Sequence, residues 1–193
     1  MYIFVDYWSF QTHFNNLFED EVRCDWFAIP EVLHDAQMKI TGQISPHQGM
    51  FVYAADTHPN LARWLRALGN HNGITAKILP MTRRPSRSSL YCSGCDKRFT
   101  ECPECGGKIS TIRVRGIDTL MVVDIVDKCQ PGDVAVVISE NSDMQIVLRH
   151  ARDRGVKIIH AGWEGTHPEF ANSSFASIKL DDDEIIDRLV RDE

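Results

Sequence analysis

Four of the six cysteines lie within fourteen residues, as two Cys-x-x-Cys pairs separated by six residues. Each pair places two thiolates on one tight turn, and two such pairs can close a tetrahedral shell around Zn²⁺. A closed four-sulfur shell leaves no position for a substrate, so the spacing predicts a structural zinc site. The alternative is a redox dithiol or a cysteine cluster without metal. The predicted ligands are Cys92, Cys95, Cys102 and Cys105.

A second group of candidates consists of side-chain oxygens near the ends of predicted strands. Asp6 ends the first apolar run, whereas Asn141 and Asp143 follow the fourth. In a doubly wound sheet these two strands are neighbours, and ligands bind beyond their carboxyl ends. Asp118 and Asp124 lie on the helix after the cysteine segment. Such oxygen ligands suit Mg²⁺ or Mn²⁺ and metal-assisted phosphodiester hydrolysis.

Each acid also has a purely structural interpretation. Asp118 could cap its helix, and Asp143 could interact with a helix macrodipole in the first turn. Asp124 could lie on a solvated helix face. The metal centre is favoured by the expected clustering of these residues at one edge of the predicted sheet, rather than by any single acid.

The charge distribution is asymmetric. The net charge is −6, but residues 81–116 carry eight basic residues against three acidic ones, a net charge of +5. Basic side chains interleaved with Tyr91 and Phe99 suit a phosphate backbone and stacked bases, and so predict a nucleic-acid partner. A protein contact or a homodimer interface, through the cysteine segment or the acidic tail, is the alternative. The candidate nucleic-acid-binding residues are Arg83, Arg84, Arg87, Lys97, Arg98, Arg113 and Arg115.

The elements that must position these residues follow from the hydrophobic pattern. Apolar runs predict strands at 2–5, 49–55, 74–79, 134–138 and 156–160, alternating with helical patterns at 8–17, 30–39, 60–68, 117–129 and 143–154. This alternation predicts parallel βαβ units in a three-layer α/β sandwich. The domain comprises residues 1–80 and 116–180, with residues 81–115 inserted. A last short strand is predicted within 170–180, and residues 181–193 form an acidic tail with the spacing of a short amphipathic helix.

Several functions are disfavoured by what the sequence lacks. No apolar run approaches the roughly 20 residues of a membrane span. The first residues reach Asp6 too early for a signal peptide, which predicts a cytoplasmic protein. No glycine-rich nucleotide-binding motif and no Ser-His or Cys-His pairing is evident. Trp8, Phe10 and Phe14 share one helix and are predicted to lie in the core rather than to form a platform for bases.

Three segments together resemble the NYN domain family of the PIN-like nuclease superfamily. These are FVDYWSF at 4–10, RGIDTLMVVD at 115–124 and VISENSDM at 137–144, followed by RGVKI at 154–158. The resemblance implies a PIN-like parallel sheet flanked by helices, interrupted here by a small zinc-ribbon insertion. It also implies a metal-dependent nuclease acting on RNA, with single-stranded RNA favoured. By position, Asp6, Asp118 and Asp143 match the family's metal-binding acids, and Asp124 matches a further acidic position.

Two positions depart from the family pattern. Ser9 stands where the family usually has Asn, which keeps a hydrogen-bonding group. Asn141 replaces an Asp of the third segment, so one negative charge is lost. Glu140 beside it could compensate, although it is expected to point elsewhere. The first hypothesis is therefore a metal-dependent endoribonuclease, and the second is a weakly active or inactive module that binds RNA or a partner protein.

Overall fold

The computed structural model describes residues 1–18, 22–80, 82–85, 90–91, 98–99, 101–107, 110–113, 116–165, 170 and 173–191. Five predicted site residues lie outside these ranges: Arg87, Cys92, Cys95, Lys97 and Arg115. In chain order the strands are β1 (Tyr2–Asp6), β2 (Gly49–Asp56), β3 (Ile74–Pro80), β4 (Thr82–Pro85), β5 (Leu90–Tyr91), β6 (Arg98–Phe99), β7 (Ser110–Arg113), β8 (Val134–Ile138), β9 (Lys157–Gly162) and β10 (Ala176–Lys179). The helices are α1 (Tyr7–Asn16), α2 (Ile29–Thr41), α3 (Pro59–Leu68), α4 (Ile117–Lys128), α5 (Met144–Asp153) and α6 (Asp183–Leu189).

Six parallel strands form the main sheet, in the order β10-β9-β8-β1-β2-β3. The predicted three-layer α/β fold is confirmed, and so is the adjacency of the first strand to Val134–Ile138, where Val5 pairs with Ile138. From β1 the chain adds β2 and β3 on one side, and β8, β9 and β10 extend the sheet on the other. The crevice beyond β1 and β8 is therefore the switch point of the sheet, where ligands bind in folds of this type.

The strands are apolar on both faces because helices cover both faces. Along β1, Ile3 and Val5 pack with α1, α2, α3 and α6, whereas Phe4 packs on the opposite face with α4 and α5. All of these β1 side chains are fully buried. The two apolar clusters fix the register of β1, since a slip by one residue would exchange the two sets of side chains.

The insertion contains two small antiparallel sheets within its described residues. Strand β4 pairs with β7, and β5 pairs with β6. Strand β4 begins two residues after β3 ends, at the carboxyl edge of the main sheet, and β7 leads back to α4. The insertion is thus attached to the same edge of the sheet as the switch-point crevice.

The acidic tail forms the predicted amphipathic helix, α6. Leu189 is buried, and Ile185 and Ile186 pack against the core beside α2. The Arg188 guanidinium lies 3.1 Å from Glu31 and 2.9 Å from Asp35, both on α2. The described contacts of the tail therefore join it to its own α/β domain.

One core prediction is wrong. Phe10 and Phe14 are fully buried, but Trp8 keeps 39% of its surface exposed. The reason is helical periodicity: the buried side chains of α1 are those of Tyr7, Phe10 and Phe14, which share one face, whereas Trp8, two residues before Phe10, lies about 200° around the helix from it. No helix in the described ranges is both long enough and apolar enough to cross a bilayer.

Candidate metal centre

The Asp6 carboxylate lies at the switch point and is held by the start of α1. Its Oδ1 accepts a hydrogen bond from the Trp8 N–H (3.0 Å), and its Oδ2 accepts one from Ser9 Oγ (2.8 Å). An Asp directly after a buried strand is a favourable N-cap, because its carboxylate satisfies an otherwise unpaired backbone donor. The same two bonds hold the carboxylate in one orientation.

Burial and hydrogen bonds dominate the electrostatics of the Asp6 carboxyl, and Asp118 makes a smaller contribution. Burial raises the pKa of the Asp6 carboxyl, and the negative charge of Asp118 raises it further, while the bonds from Ser9 and Trp8 lower it. Gly116, in the left-handed conformation (φ 92°), is the N-cap of α4, so Asp118 lies in the first turn and is not the capping residue. Asp6 is thus a desolvated carboxylate with a small repulsion from a second acid, a situation that a divalent cation would stabilise.

The loop after β8 supplies the third segment of the centre. Asn141 Oδ1 accepts a hydrogen bond from the Asp143 N–H (3.0 Å), and the Asn141 N–H donates to Ser139 Oγ (3.2 Å). These bonds shape the turn into α5. Asp143 is exposed and makes no side-chain capping bond, so its carboxylate is available to a ligand.

Ser9 connects the first and third segments. While its Oγ donates to Asp6, it also accepts a hydrogen bond from the Glu140 N–H (3.3 Å). The Glu140 carboxylate turns toward α1, where Oε2 lies 3.2 Å from His13 Nε2. Glu140 therefore points elsewhere, as expected, and the hydrogen-bonding group kept at Ser9 joins β1 to the β8 loop.

Asp124 is buried in a hydrogen-bond network that is separate from the candidate metal centre and lies on the face of the sheet covered by α4. Its Oδ2 accepts a hydrogen bond from Tyr53 Oη (2.6 Å) and lies 2.6 Å from Lys77 Nζ. Lys128 Nζ is 4.0 Å from Oδ1. Burial, together with the bond to Asp124, raises the pKa of Tyr53. The network attaches α4 to β2 and β3.

Sequence reasoning did not identify Tyr53 or Lys77. In the sheet register Asp6 pairs with Tyr53, and Tyr53 pairs with Lys77, so the three form one row across the strands. The available signal was a lysine inside the apolar run Ile74–Leu79, which requires a partner if the strand is buried. Choosing that partner needed the strand order.

The described residues do not form a complete metal-coordination shell. Within the described ranges, no three acidic, histidine or cysteine side chains converge closely enough to hold a metal ion. Mg²⁺ commonly uses only one or two carboxylates and keeps several waters. Asp6, with Asp118 near enough to affect its pKa, supplies one or two carboxylates for that kind of ligand set, and Asp143 is exposed at the start of α5.

The second Cys-x-x-Cys pair forms a tight turn. The Cys102 N–H donates to the Gly107 carbonyl and the Gly106 N–H donates to the Cys102 carbonyl, both at 2.8 Å, with Gly106 in the left-handed conformation (φ 67°). Backbone N–H groups of Cys105 and Glu104 point at the Cys102 sulfur and lower the pKa of its thiol. This turn favours a thiolate, the form that binds metal.

The fold and the crevice define a Rossmann-like α/β domain with acidic side chains at its switch point. The chain belongs to the NYN domain family, whose model matches residues 39–181. That match includes Asp118, Asp124, Asn141 and Asp143, and Asp6 precedes it. NYN domains are members of the PIN-like nuclease superfamily.

A solved structure of a protein of unknown function from Vibrio parahaemolyticus is similar to this chain, with a TM-score of 0.58. The two chains share 12% identity, and the similarity covers 98% of this chain and 94% of that one. At this identity the similarity concerns the fold. No curated protein sequence matches the chain significantly.

Proposed function

We propose that this NYN domain is a divalent-metal-dependent endoribonuclease that hydrolyses phosphodiester bonds in RNA. The observation that carries the proposal is the Asp6 carboxylate, which is desolvated by burial and also repelled by the charge of Asp118, at the switch point of a nuclease-superfamily fold. A desolvated pair of like charges is costly unless a cation neutralises it.

Asp6, Asp118 and Asp143 would have to move together to hold Mg²⁺ or Mn²⁺, since among the described residues they do not converge. Asn141 would contribute a neutral oxygen. When bound, the ion supplies a polarised water and neutralises charge on the phosphate. Ser9 keeps Asp6 oriented and ties it to the β8 loop. Asp124 acts as a positioning residue, because its bonds to Tyr53 and Lys77 hold α4, and with it Asp118, against the sheet.

The insertion is proposed to be a structural zinc knuckle that also holds the RNA backbone. Its four ligands are Cys92, Cys95, Cys102 and Cys105, and the turn at Cys102 supports this assignment. Free thiolate ligands are consistent with a reducing compartment such as the cytoplasm. The attachment of the insertion beside the crevice supports a role for its arginines in binding phosphates.

A second candidate function is an RNA- or protein-binding module without efficient cleavage. Asn141 favours it, because its Oδ1 already accepts a hydrogen bond from Asp143 N–H and carries no charge toward a metal. Incubation of the purified protein with labelled single-stranded RNA, in Mn²⁺, Mg²⁺ or EDTA, distinguishes the two. Cleavage that requires the ion and is lost in Asp6→Asn supports the nuclease; binding without cleavage under all three conditions overturns it.

A further inference from the structure

Two of the four tryptophans are exposed on one surface beside the crevice. Trp8 and Trp64 each keep 39% of their surface exposed, whereas Trp26 and Trp163 are buried. Tyr7 contacts both exposed rings, at 5.1 Å from Trp8 and 5.9 Å from Trp64 between centroids. The two exposed tryptophans therefore belong to one continuous aromatic surface, which we define as Trp8, Tyr7 and Trp64.

This aromatic surface is rigid. Tyr7 is almost fully buried and stacks on Trp26 at 5.5 Å, and Trp26 packs edge-on against Trp64 at 5.6 Å. The Trp26 indole N–H donates to Gln11 Oε1 (3.1 Å), which fixes the supporting ring. A ring placed on this surface would order few side chains, so the entropic cost of stacking is small.

The aromatic surface adjoins the candidate metal centre. The Trp8 backbone N–H donates to the Asp6 carboxylate. Trp8 therefore lies in the first turn of α1, two residues after the proposed metal ligand. A polynucleotide strand with one phosphate at Asp6 can therefore place a nearby base on this surface.

The charges beside Trp64 indicate the chemistry of the occupant. Arg63 and Arg66 are exposed on α3, which contains no acidic residue, and neither pairs with an acid in the described ranges. In a chain with a net charge of −6, these two arginines make the surface of α3 around Trp64 locally basic. Aromatic rings flanked by arginines are the combination that binds single strands, because bases stack while phosphates pair with the cations.

We propose that Trp8 and Trp64 form a base-stacking subsite for single-stranded RNA, next to the metal centre. The ligand class rests on the proposed function, but the subsite is independent of cleavage and can be measured without it. Duplex RNA, whose bases are stacked inside the helix, binds this surface poorly.

The test measures binding of a fluorescent oligouridine of about ten nucleotides, a length within the usual site sizes, in buffer without added Mg²⁺ or Mn²⁺, so that no cleavage interferes and the proposed structural zinc is not chelated. Trp8→Ala and Trp64→Ala each weaken binding on the order of tenfold, whereas Trp8→Phe restores most of the affinity. Phe175→Ala is the matched control, because Phe175 is an aromatic at least as accessible as Trp8 and Trp64 (55% exposed) and lies beside β10 at the far edge of the sheet. Wild-type tryptophan fluorescence is quenched by the oligouridine and not by an abasic strand of equal length.

Unchanged affinity in both alanine variants, or quenching by the abasic strand, overturns the subsite. Neither result bears on the nuclease proposal, which the cleavage assay with Mn²⁺ tests separately. An equal loss in Phe175→Ala also overturns it. Sedimentation that shows a dimer abolished by Trp64→Ala, with RNA affinity unchanged, assigns the surface to a second copy instead. Conversely, tryptophan-dependent binding without any cleavage keeps the subsite and removes the nuclease.

Discussion

Lys77 Nζ lies 2.6 Å from Asp124 Oδ2, and this ion pair joins β3 to α4. Lys77 belongs to the cross-strand row that also contains Tyr53 and Asp6. Replacing Lys77 by Met leaves a buried carboxylate with the Tyr53 hydroxyl at 2.6 Å and only the more distant Lys128 ammonium, at 4.0 Å, to balance its charge. We expect the free energy of unfolding to fall by about 2 kcal/mol, below the value for a fully buried pair because Lys77 reaches solvent. Urea denaturation measures the loss.

Lys39→Met is the matched control for that variant. Lys39 pairs with Glu184 at 2.5 Å, but both side chains are mostly exposed, so its loss should cost less than about 1 kcal/mol. Equal stabilities of Lys77→Met and Lys39→Met would contradict a structural role for the Lys77–Asp124 pair. If Asp124 positions Asp118, Lys77→Met also reduces cleavage in the folded protein.

The raised pKa of Asp6 predicts how stability depends on pH without metal. A carboxyl whose pKa is higher in the folded than in the unfolded protein binds protons more strongly when folded. Stability without added Mg²⁺ or Mn²⁺ therefore falls as pH rises from the ordinary value of 3.8 through the raised pKa of Asp6. Asp6→Asn removes that part of the pH dependence and abolishes cleavage, while secondary structure and zinc content stay intact. Thermal unfolding across this pH range measures the difference between the two proteins.

Added Mn²⁺ provides the companion measurement. If Asp6 is a ligand, Mn²⁺ raises the melting temperature of the wild type by mass action and has a much smaller effect on Asp6→Asn. Ser177→Ala, a change on β10 far from the crevice, is a suitable control and responds to Mn²⁺ like the wild type. An identical response of Asp6→Asn and wild type would remove Asp6 from the metal site.

Asn141→Asp should strengthen the metal centre. An Asp oxygen can keep the hydrogen bond from the Asp143 N–H and adds the negative charge that the third segment lacks. We expect cleavage to reach half its maximum at a lower Mg²⁺ concentration, with a small loss of metal-free stability from repulsion among the acids. A titration of cleavage rate against Mg²⁺ tests this; a higher Mg²⁺ requirement in the variant would contradict it.

One zinc ion per chain is expected in protein purified without added metal. Cys95→Ser together with Cys102→Ser should abolish it, since two of four thiolates are lost. Cys24→Ala is the control, because Cys24 packs against the core and burial raises the pKa of its thiol. Elemental analysis decides the matter: zinc retained in the double variant, or absent from the wild type, refutes the site.

The arginines at the start of the insertion should dominate the salt dependence of RNA binding. Replacing Arg83, Arg84 and Arg87 by Ala releases fewer counterions on binding, so the slope of log affinity against log salt becomes shallower by about two to three. A control variant removes the same charge elsewhere, through Lys39, Arg149 and Lys179. If both triple variants show the same slope, the insertion is not where the phosphates are held.

Local sequence patterns predicted most of the architecture. The run Val134–Ile138 has no polar residue and is rich in β-branched residues, so it predicted a buried strand. Pro131-Gly132 before it and Gly155 after the next helix marked the ends of the neighbouring elements. Element order then restricted the topology, because parallel βαβ connections are right-handed and sequential strands are neighbours. The positions of Asp6 and of the loop after β8 at one sheet edge followed from that order.

Side-chain partners were decided by the tertiary structure. From the sequence, Asp124 could be placed on a predicted helix, but its partner could not be predicted. Its hydrogen bond with Tyr53 joins residues 71 positions apart and depends on how α4 packs on β2 and β3. Ser9 and Glu140 meet across 131 residues for the same kind of reason. Neither pairing has a local signature.

The sequence by itself determined the alternation of strands and helices, the cysteine spacing and the acids at strand ends, because each depends on residues close together in the chain. Only the tertiary structure decided that Trp8 is exposed, that Asp6 lies close enough to Asp118 to raise its pKa, and that Lys77 is the partner of Asp124. These depend on the angle at which each helix crosses the sheet and on the register of strands far apart in sequence. A few ångströms there separate a buried side chain from an exposed one, and a paired charge from a free one.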